Sequence, residues 1–301
     1  MSTETNNIST FHGVQAAERL PEQTHIGAVR LQISDLQRSV EYYESVLGLD
    51  VLEGDTRRAS LGVKGAARPL VHLAEKGGVA PVPQRGRFGL FHFALLLPDR
   101  MALGRFAAHL LRLELRPGMA DHDVSEALYL TDPDGLGIEV YADRPRASWK
   151  YRGDELVMTT DSLDVGDLIT AGDGGDWSGA PEGTSMGHVH LHVGDLTEAE
   201  AFYHRALGLD KKLWSYPGAL FLSAGGYHHH LGTNIWSPGP SARADEARLL
   251  EWELMVPERA TARDVARRLR AGGYVADNAP DGVRTSDAWG TQLCIRSEKD
   301  R

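Results

Sequence analysis

The chain has 301 residues, 42% hydrophobic and 25% charged, with a formal net charge of −10, which admits about two ordinary domains with a real core. The acidic balance, with no Lys/Arg block, argues against a nucleic-acid partner, and no apolar run reaches the ~18 residues of a membrane span. The single cysteine, Cys294, excludes an internal disulfide, so a cytoplasmic location is the expectation.

The N-terminus, MSTETNNISTFHG, is polar and lacks the basic-then-apolar pattern of an export signal. Residues 1–22 and 296–301 are expected to be loose ends. The first periodic segment is HIGAVRLQISDLQRSVEYYESVLGLD (25–50). It predicts an alternating strand, an N-cap at Asp35, an amphipathic helix and a C′ glycine at Gly48. FHFALLLPDR (91–100) predicts a strand ending at Pro98, then a helix around 101–113. Within that strand Phe93, Leu95 and Leu97 share one face, so His92 lies on the other. DPDGLGIEVY (132–141) opens on a Pro/Gly turn. Its strand places Ile138 and Val140 in the core and Glu139 opposite them. The stretch 143–185, with GDGGDWSGAPEGTS near its end, reads as a linker between two halves, 24–142 and 186–296.

The chain then repeats itself. In MGHVHLHVGDLTEAEAFYHRALGLD (186–210), eight residues recur from the first segment at an offset of 160, among them Asp35, Tyr43 and Gly48. Val189, Leu191 and Val193 form the core face, and His188, His190 and His192 the other. In the last strand of SAGGYHHHLGTNIW (223–236), alternation puts Leu231, Thr233 and Ile235 in the core. His228, His230 and Asn234 then face the same way as the other histidines. LEWELMVPER (250–259) echoes FHFALLLPDR, with a helix around 260–271. SDAWGTQLCI (286–295) echoes DPDGLGIEVY around Asp132/Asp287 and Gly135/Gly290. Four modules result, 25–77, 88–142, 186–236 and 248–296, each reading βαβββ. None is large enough to bury its sheet alone, so the expected class is α+β, with modules paired into two curved-sheet cups.

This pattern resembles the vicinal oxygen chelate superfamily of glyoxalases, fosfomycin-resistance enzymes and extradiol dioxygenases. SDLQRSVEYYESVLGL and DPDGLGIEVY carry the likeness over about residues 24–296. The four-module length, with SAGGYHHHLGTNIW, turns it toward catechol-2,3-dioxygenase-like members. Two imidazoles and one carboxylate on one face of a metal leave positions open, the ligand set of non-heme Fe(II) oxygenases. Pairing module one with two, and three with four, gives no cup with two histidines and a glutamate. Pairing two with three gathers His92, Glu139 and His188, leaving the other cup with Ala28, Glu251 and Cys294. The typical extradiol enzyme uses its last two modules, so this pairing departs from the family.

The resemblance implies metal ligation by His92, Glu139 and His188. It also implies a substrate contact from Tyr129 and an acid/base on the last strand of the third module. Parity and alignment favour His230 among His228, His229 and His230. ADHDVSEALY (120–129) resembles the substrate-side turn, which brings in His122 and Asp123. His190, His228 and Asn234 are candidate substrate contacts, though His190 reads equally as a half-exposed polar strand residue. The implied partners are a small aromatic diol and O2, with Fe(II) as cofactor; ligand type does not separate it from Mn(II). Family members often assemble into homo-oligomers. Two rival readings stand beside this one: a glyoxalase-like isomerase or lyase on Zn, Ni or Mn, and a non-catalytic binder of small molecules. A glyoxalase-like site usually takes four protein ligands, often with two carboxylates, whereas this cup offers one.

Overall fold

A computed structural model describes residues 19–83, 86–237 and 239–300, with Asp300 given by its backbone alone. Module one comprises β1 (His25–Ile33), α1 (Leu36–Ser45), β2 (Asp50–Gly54), β3 (Arg58–Gly62) and β4 (Val71–Glu75). Module two follows as β5 (Gly89–Leu96), α2 (Arg100–Arg112), β6 (Gly118–Asp121), β7 (Ser125–Thr131) and β8 (Gly137–Asp143). The connecting segment holds a two-residue hairpin, β9 (Tyr151–Arg152) and β10 (Glu155–Leu156), and a helix, α3 (Val165–Ala171). Module three comprises β11 (Ser185–His192), α4 (Leu196–Ala199), β12 (Asp210–Leu213), β13 (Ala219–Ser223) and β14 (Leu231–Asn234). In it α4 continues as a wider π-helical stretch through Ala206. Module four comprises β15 (Arg248–Val256), α5 (Arg259–Ala271), β16 (Ala276–Ala279), β17 (Gly282–Ser286) and β18 (Gln292–Ser297).

The helix starts arise from local chemistry. Asp35 accepts the Arg38 amide at 2.9 Å and Asp195 accepts the Glu198 amide at 2.8 Å. Each satisfies an otherwise orphaned donor of the first turn and stabilises it by about 1 kcal/mol. Gly48 leaves α1 at φ +71°, a conformation that strains side chains with a Cβ.

Two eight-stranded sheets result. One runs β16-β17-β18-β15-β1-β4-β3-β2 and joins modules four and one; the other runs β12-β13-β14-β11-β5-β8-β7-β6 and joins three and two. At each centre the opening strands pair antiparallel, β1 with β15 and β11 with β5. The pairing of modules two and three read from the ligand logic is therefore the one the chain adopts. One apolar cluster spans both sheets, from Leu31, Leu61 and Trp252 to Phe93, Val140 and Leu191. The two halves of the chain thus share a core.

In the cup of modules one and four, several charged side chains are held in ion pairs. Arg284 meets Glu251 at 2.8 Å and Asp281 at 2.7 Å, while Arg296 meets Glu253 at 3.0 Å. Cys294 lies buried there, and burial pushes its thiol up to about 11.

Two expectations fail here, the loose ends and the core position of Ile235. Residues 296–300 are not loose: β18 runs to Ser297 and a short turn follows, while Arg301 lies outside the described residues. Arg19 and Leu20 are also fixed, by an Arg19–Asp210 ion pair at 3.1 Å and a Leu20 amide bond to the Gly208 carbonyl at 3.0 Å; residues 1–18 lie outside the described residues. Ile235 is 45% exposed, because β14 ends at Asn234 and its alternation ends with it. The connecting segment is also more than a linker. Gly104 of α2 lets the backbone of α3 approach so closely that a Cβ there would lie 2.2 Å from the Leu168 carbonyl oxygen.

Candidate metal centre

The central strands of the second sheet bring the three sequence-predicted ligands together. His190 and His92 are cross-strand partners on β11 and β5, and Ala94 pairs with Glu139 across β5 and β8. With Val189, Leu191, Phe93, Ile138 and Val140 in the apolar core, the alternate residues face the cup. Glu139 Oε2 lies 3.0 Å from His92 Nε2 and 3.0 Å from His188 Nε2. The two nitrogens are 3.4 Å apart. All three side chains are buried, and they are the one His/Cys/Asp/Glu group of metal-binding geometry among the described residues.

These separations fit a divalent ion. Ligand atoms ~2.1 Å from an ion, at right angles, lie about 3.0 Å from each other. Such a set occupies one triangular face and leaves the opposite positions free. The protonation states agree. Burial opposes ionisation of Glu139, but the facing imidazoles of His188 and His92 outweigh it and hold the carboxyl well below its ordinary range. Burial lowers His188 to about 4, so its imidazole is neutral at neutral pH. Its Nδ1 has no hydrogen-bond partner among the described residues. The ring instead rests against His229, at 4.0 Å between centroids, and Tyr141, at 5.0 Å.

Above the triad opens a cavity of about 320 Å³. Its polar side is formed by His122, Tyr129, His190 and His229. His122 Nε2 is 2.6 Å from the Tyr129 hydroxyl, and its Nδ1 is 2.6 Å from the Thr159 carbonyl oxygen. A neutral His122 therefore donates from Nδ1 to that carbonyl and accepts the Tyr129 hydroxyl proton at Nε2. His190 accepts from Asn234 Nδ2 at 3.0 Å, while Asn234 Oδ1 lies 2.7 Å from His192 Nδ1. Gly232 makes room for the His190 ring, since a Cβ there would come within 2.8 Å of it.

Four of the expected site residues lie outside the cavity lining. His230 does not line the cavity; its Nδ1 accepts from the Ala224 amide at 3.2 Å and lies 3.1 Å from Ser223 Oγ. The cavity residue is His229. The reason is the Gly225–Gly226 turn, both at positive φ, from which the chain re-enters β14 only at Leu231. Strand alternation therefore does not reach the three histidines, and the glycine pair was the signal for it. His228 lies fully buried behind His229 and away from the cavity lining. Asn234 supports His190 and His192 from behind the lining. Asp123 takes the left-handed turn position between β6 and β7 at φ +66°, with its carboxylate 3.6 Å from Lys150 Nζ, outside the lining.

The apolar walls were not legible beforehand. Phe91, Tyr216, Phe221 and Trp236 line them, together with Met158, Thr159 and Thr160. The last three come from the connecting segment, which crosses the mouth as a strap. Asp121 and Asp161 bond backbone to backbone at one end, and Thr160 Oγ1 lies 2.9 Å from the Tyr216 hydroxyl at the other. Among the described residues, no lysine or arginine lines the cavity.

Residues 25–140 match the family model of the Glyoxalase/Bleomycin resistance protein/Dioxygenase superfamily. A catechol-2,3-dioxygenase of Bacillus subtilis (strain 168) is 42% identical over 271 residues, covering 88% of this chain and 94% of that protein. Among solved structures, a dioxygenase candidate from the same species superposes with a TM-score of 0.66 at 12% identity, over 93% of this chain and 86% of the other. Glyoxalase I from Zea mays does so with a TM-score of 0.52 at 16% identity, over 92% and 94%. These two likenesses concern the fold. No helix among the described residues is long and apolar enough to cross a membrane.

Proposed function

The chain belongs to the Glyoxalase/Bleomycin resistance protein/Dioxygenase superfamily and is an enzyme of the extradiol dioxygenase kind; from that premise we propose that it uses ferrous ion to cleave an uncharged catechol beside its diol. The observation that carries this reading is the convergence of His92, Glu139 and His188 beneath a largely aromatic cavity. Ferrous ion held by these three would bind both catechol oxygens and O2 at its open positions and let electron density pass between them.

The remaining work falls to the chain's own side chains. His229 lines the cavity, and burial holds its pKa well below the ordinary imidazole range, so the ring is neutral. It is our candidate for taking the proton of a substrate hydroxyl and returning it. Tyr129, its own proton donated to His122, is placed to accept a hydrogen bond from a substrate hydroxyl. Phe91, Phe221 and Trp236 offer ring faces to an aromatic substrate and keep bulk water out. The absence of a lining cation favours substrates without a carboxylate.

The test is anaerobic reconstitution with ferrous ion, addition of catechol, then admission of O2. A yellow product with stoichiometric oxygen uptake is expected. No uptake across a panel of catechols, with iron bound, would remove the proposal.

A further inference from the structure

The cavity histidine is backed by a buried chain of polar groups. His229 Nδ1 lies 2.7 Å from His228 Nδ1, and His228 Nε2 lies 2.9 Å from Asp143 Oδ1. The same carboxylate oxygen accepts the Tyr227 hydroxyl at 3.1 Å, and the Tyr141 hydroxyl is 2.6 Å from that of Tyr227. His228 is wholly buried, sandwiched between Tyr227, at 4.1 Å between centroids, and Trp149, at 5.5 Å. Asp143, at the end of β8, keeps a 28% exposed side chain.

With both imidazoles neutral, hydrogen-bond polarity through this chain has one consistent solution. A carboxylate only accepts, so His228 Nε2 must carry the proton. A neutral His228 then has a bare Nδ1, which only accepts. His229 Nδ1 must be the donor across the 2.7 Å contact. That leaves His229 Nε2 unprotonated. We infer that Asp143, acting through His228, fixes the tautomer of His229 and so presents a proton-accepting nitrogen to the cavity. Asp143 and His228 are positioning residues: neither lines the cavity, and both act through His229. The arrangement parallels a carboxylate that orients a catalytic imidazole directly, with a second imidazole inserted. The inference deepens the functional reading and rests on it where it calls His229 an acid/base.

The deciding measurement is 15N NMR of the histidine-labelled full chain, metal-free and with diamagnetic Zn(II), with His229 assigned from a His229→Gln spectrum. The expected wild-type state is His229 with Nδ1 protonated and Nε2 bare. Asp143→Leu, which removes the acceptor at similar size, should give a mixture of both tautomers. Tyr227→Phe, which leaves the carboxylate, should keep the single form. Wild-type His229 protonated at Nε2 would overturn the inference, as would an unchanged tautomer in Asp143→Leu. The kinetic counterpart is a fall in kcat of roughly ten- to a hundred-fold in Asp143→Leu, with KM and bound iron within about twofold of wild type. A KM change without a kcat change would also count against the positioning role. If the wild type turns over no catechol, the functional reading fails, and the NMR result still decides the tautomer.

Discussion

Tyr43 donates its hydroxyl to Asp132 Oδ2 at 3.3 Å, from the helix of module one to the last turn of module two. The relationship recurs in the other half, where Tyr203 donates to Asp287 at 2.8 Å. Each bond ties modules of different sheets, and each aspartate also accepts two backbone amides of its own turn. The sheets join modules two to three and one to four, so these clamps supply the complementary links.

Burial raises Asp132 from its ordinary 3.8 to about 6. A carboxyl raised on folding binds its proton more tightly in the native state. Its contribution to stability is complete below about pH 4 and is lost as pH rises through about 6, a swing of about 3 kcal/mol. Asp132→Asn keeps an acceptor for the turn and does not ionise, so it should lack that component. Urea unfolding of both proteins at pH 4.5 and 7.5 checks this; equal pH dependence in the two would contradict it.

His92→Ala, Glu139→Ala and His188→Ala should each reduce bound iron from about one per chain to below about a tenth, with far-UV circular dichroism preserved, because each removes one of only three ligands. Stoichiometric iron in any of the three would break the ligand set.

His229→Gln should keep its iron and lower kcat by about a hundred-fold or more, the usual scale for loss of a general base. His230→Gln should stay within a few-fold of wild type, since that ring faces the Ser223–Ala224 turn. Steady-state oxygen uptake on both variants separates the two histidines, and the opposite ranking would restore the expectation from strand parity.

Among the described residues no lysine or arginine lines the cavity, so kcat/KM for a carboxylate-bearing catechol should fall at least about tenfold below that for catechol itself. Thr160→Arg places a guanidinium on the strap at the mouth and should recover much of that difference. Unchanged selectivity would mean that the strap is not part of the substrate wall.

Gly104→Ala should cost about 1–3 kcal/mol or more by thermal or urea unfolding, because its methyl would meet the Leu168 carbonyl and the Gly172 amide of the connecting segment. A neutral result would show α3 free to withdraw from α2.

The sequence by itself determined the repeat, the module boundaries to within a few residues of the strands, and the face each strand residue takes. These are local matters: alternation decides the core side, and Asp and Gly decide where helices start and end. It also pointed to the candidate ligand triad, since one pairing of modules alone gives the second cup two histidines and a carboxylate. Tertiary structure decided what local periodicity does not encode. A turn at Gly225–Gly226 breaks the alternation that pointed to His230 and delivers His229 to the cavity. The strap from 158 to 160 reaches the mouth only because α3 docks on α2 and residue 161 pairs with 121. The carboxylate behind His228 comes from the other half of the chain, 85 residues away. Such contacts between distant segments depend on how two curved sheets close, and no spacing along the chain records that.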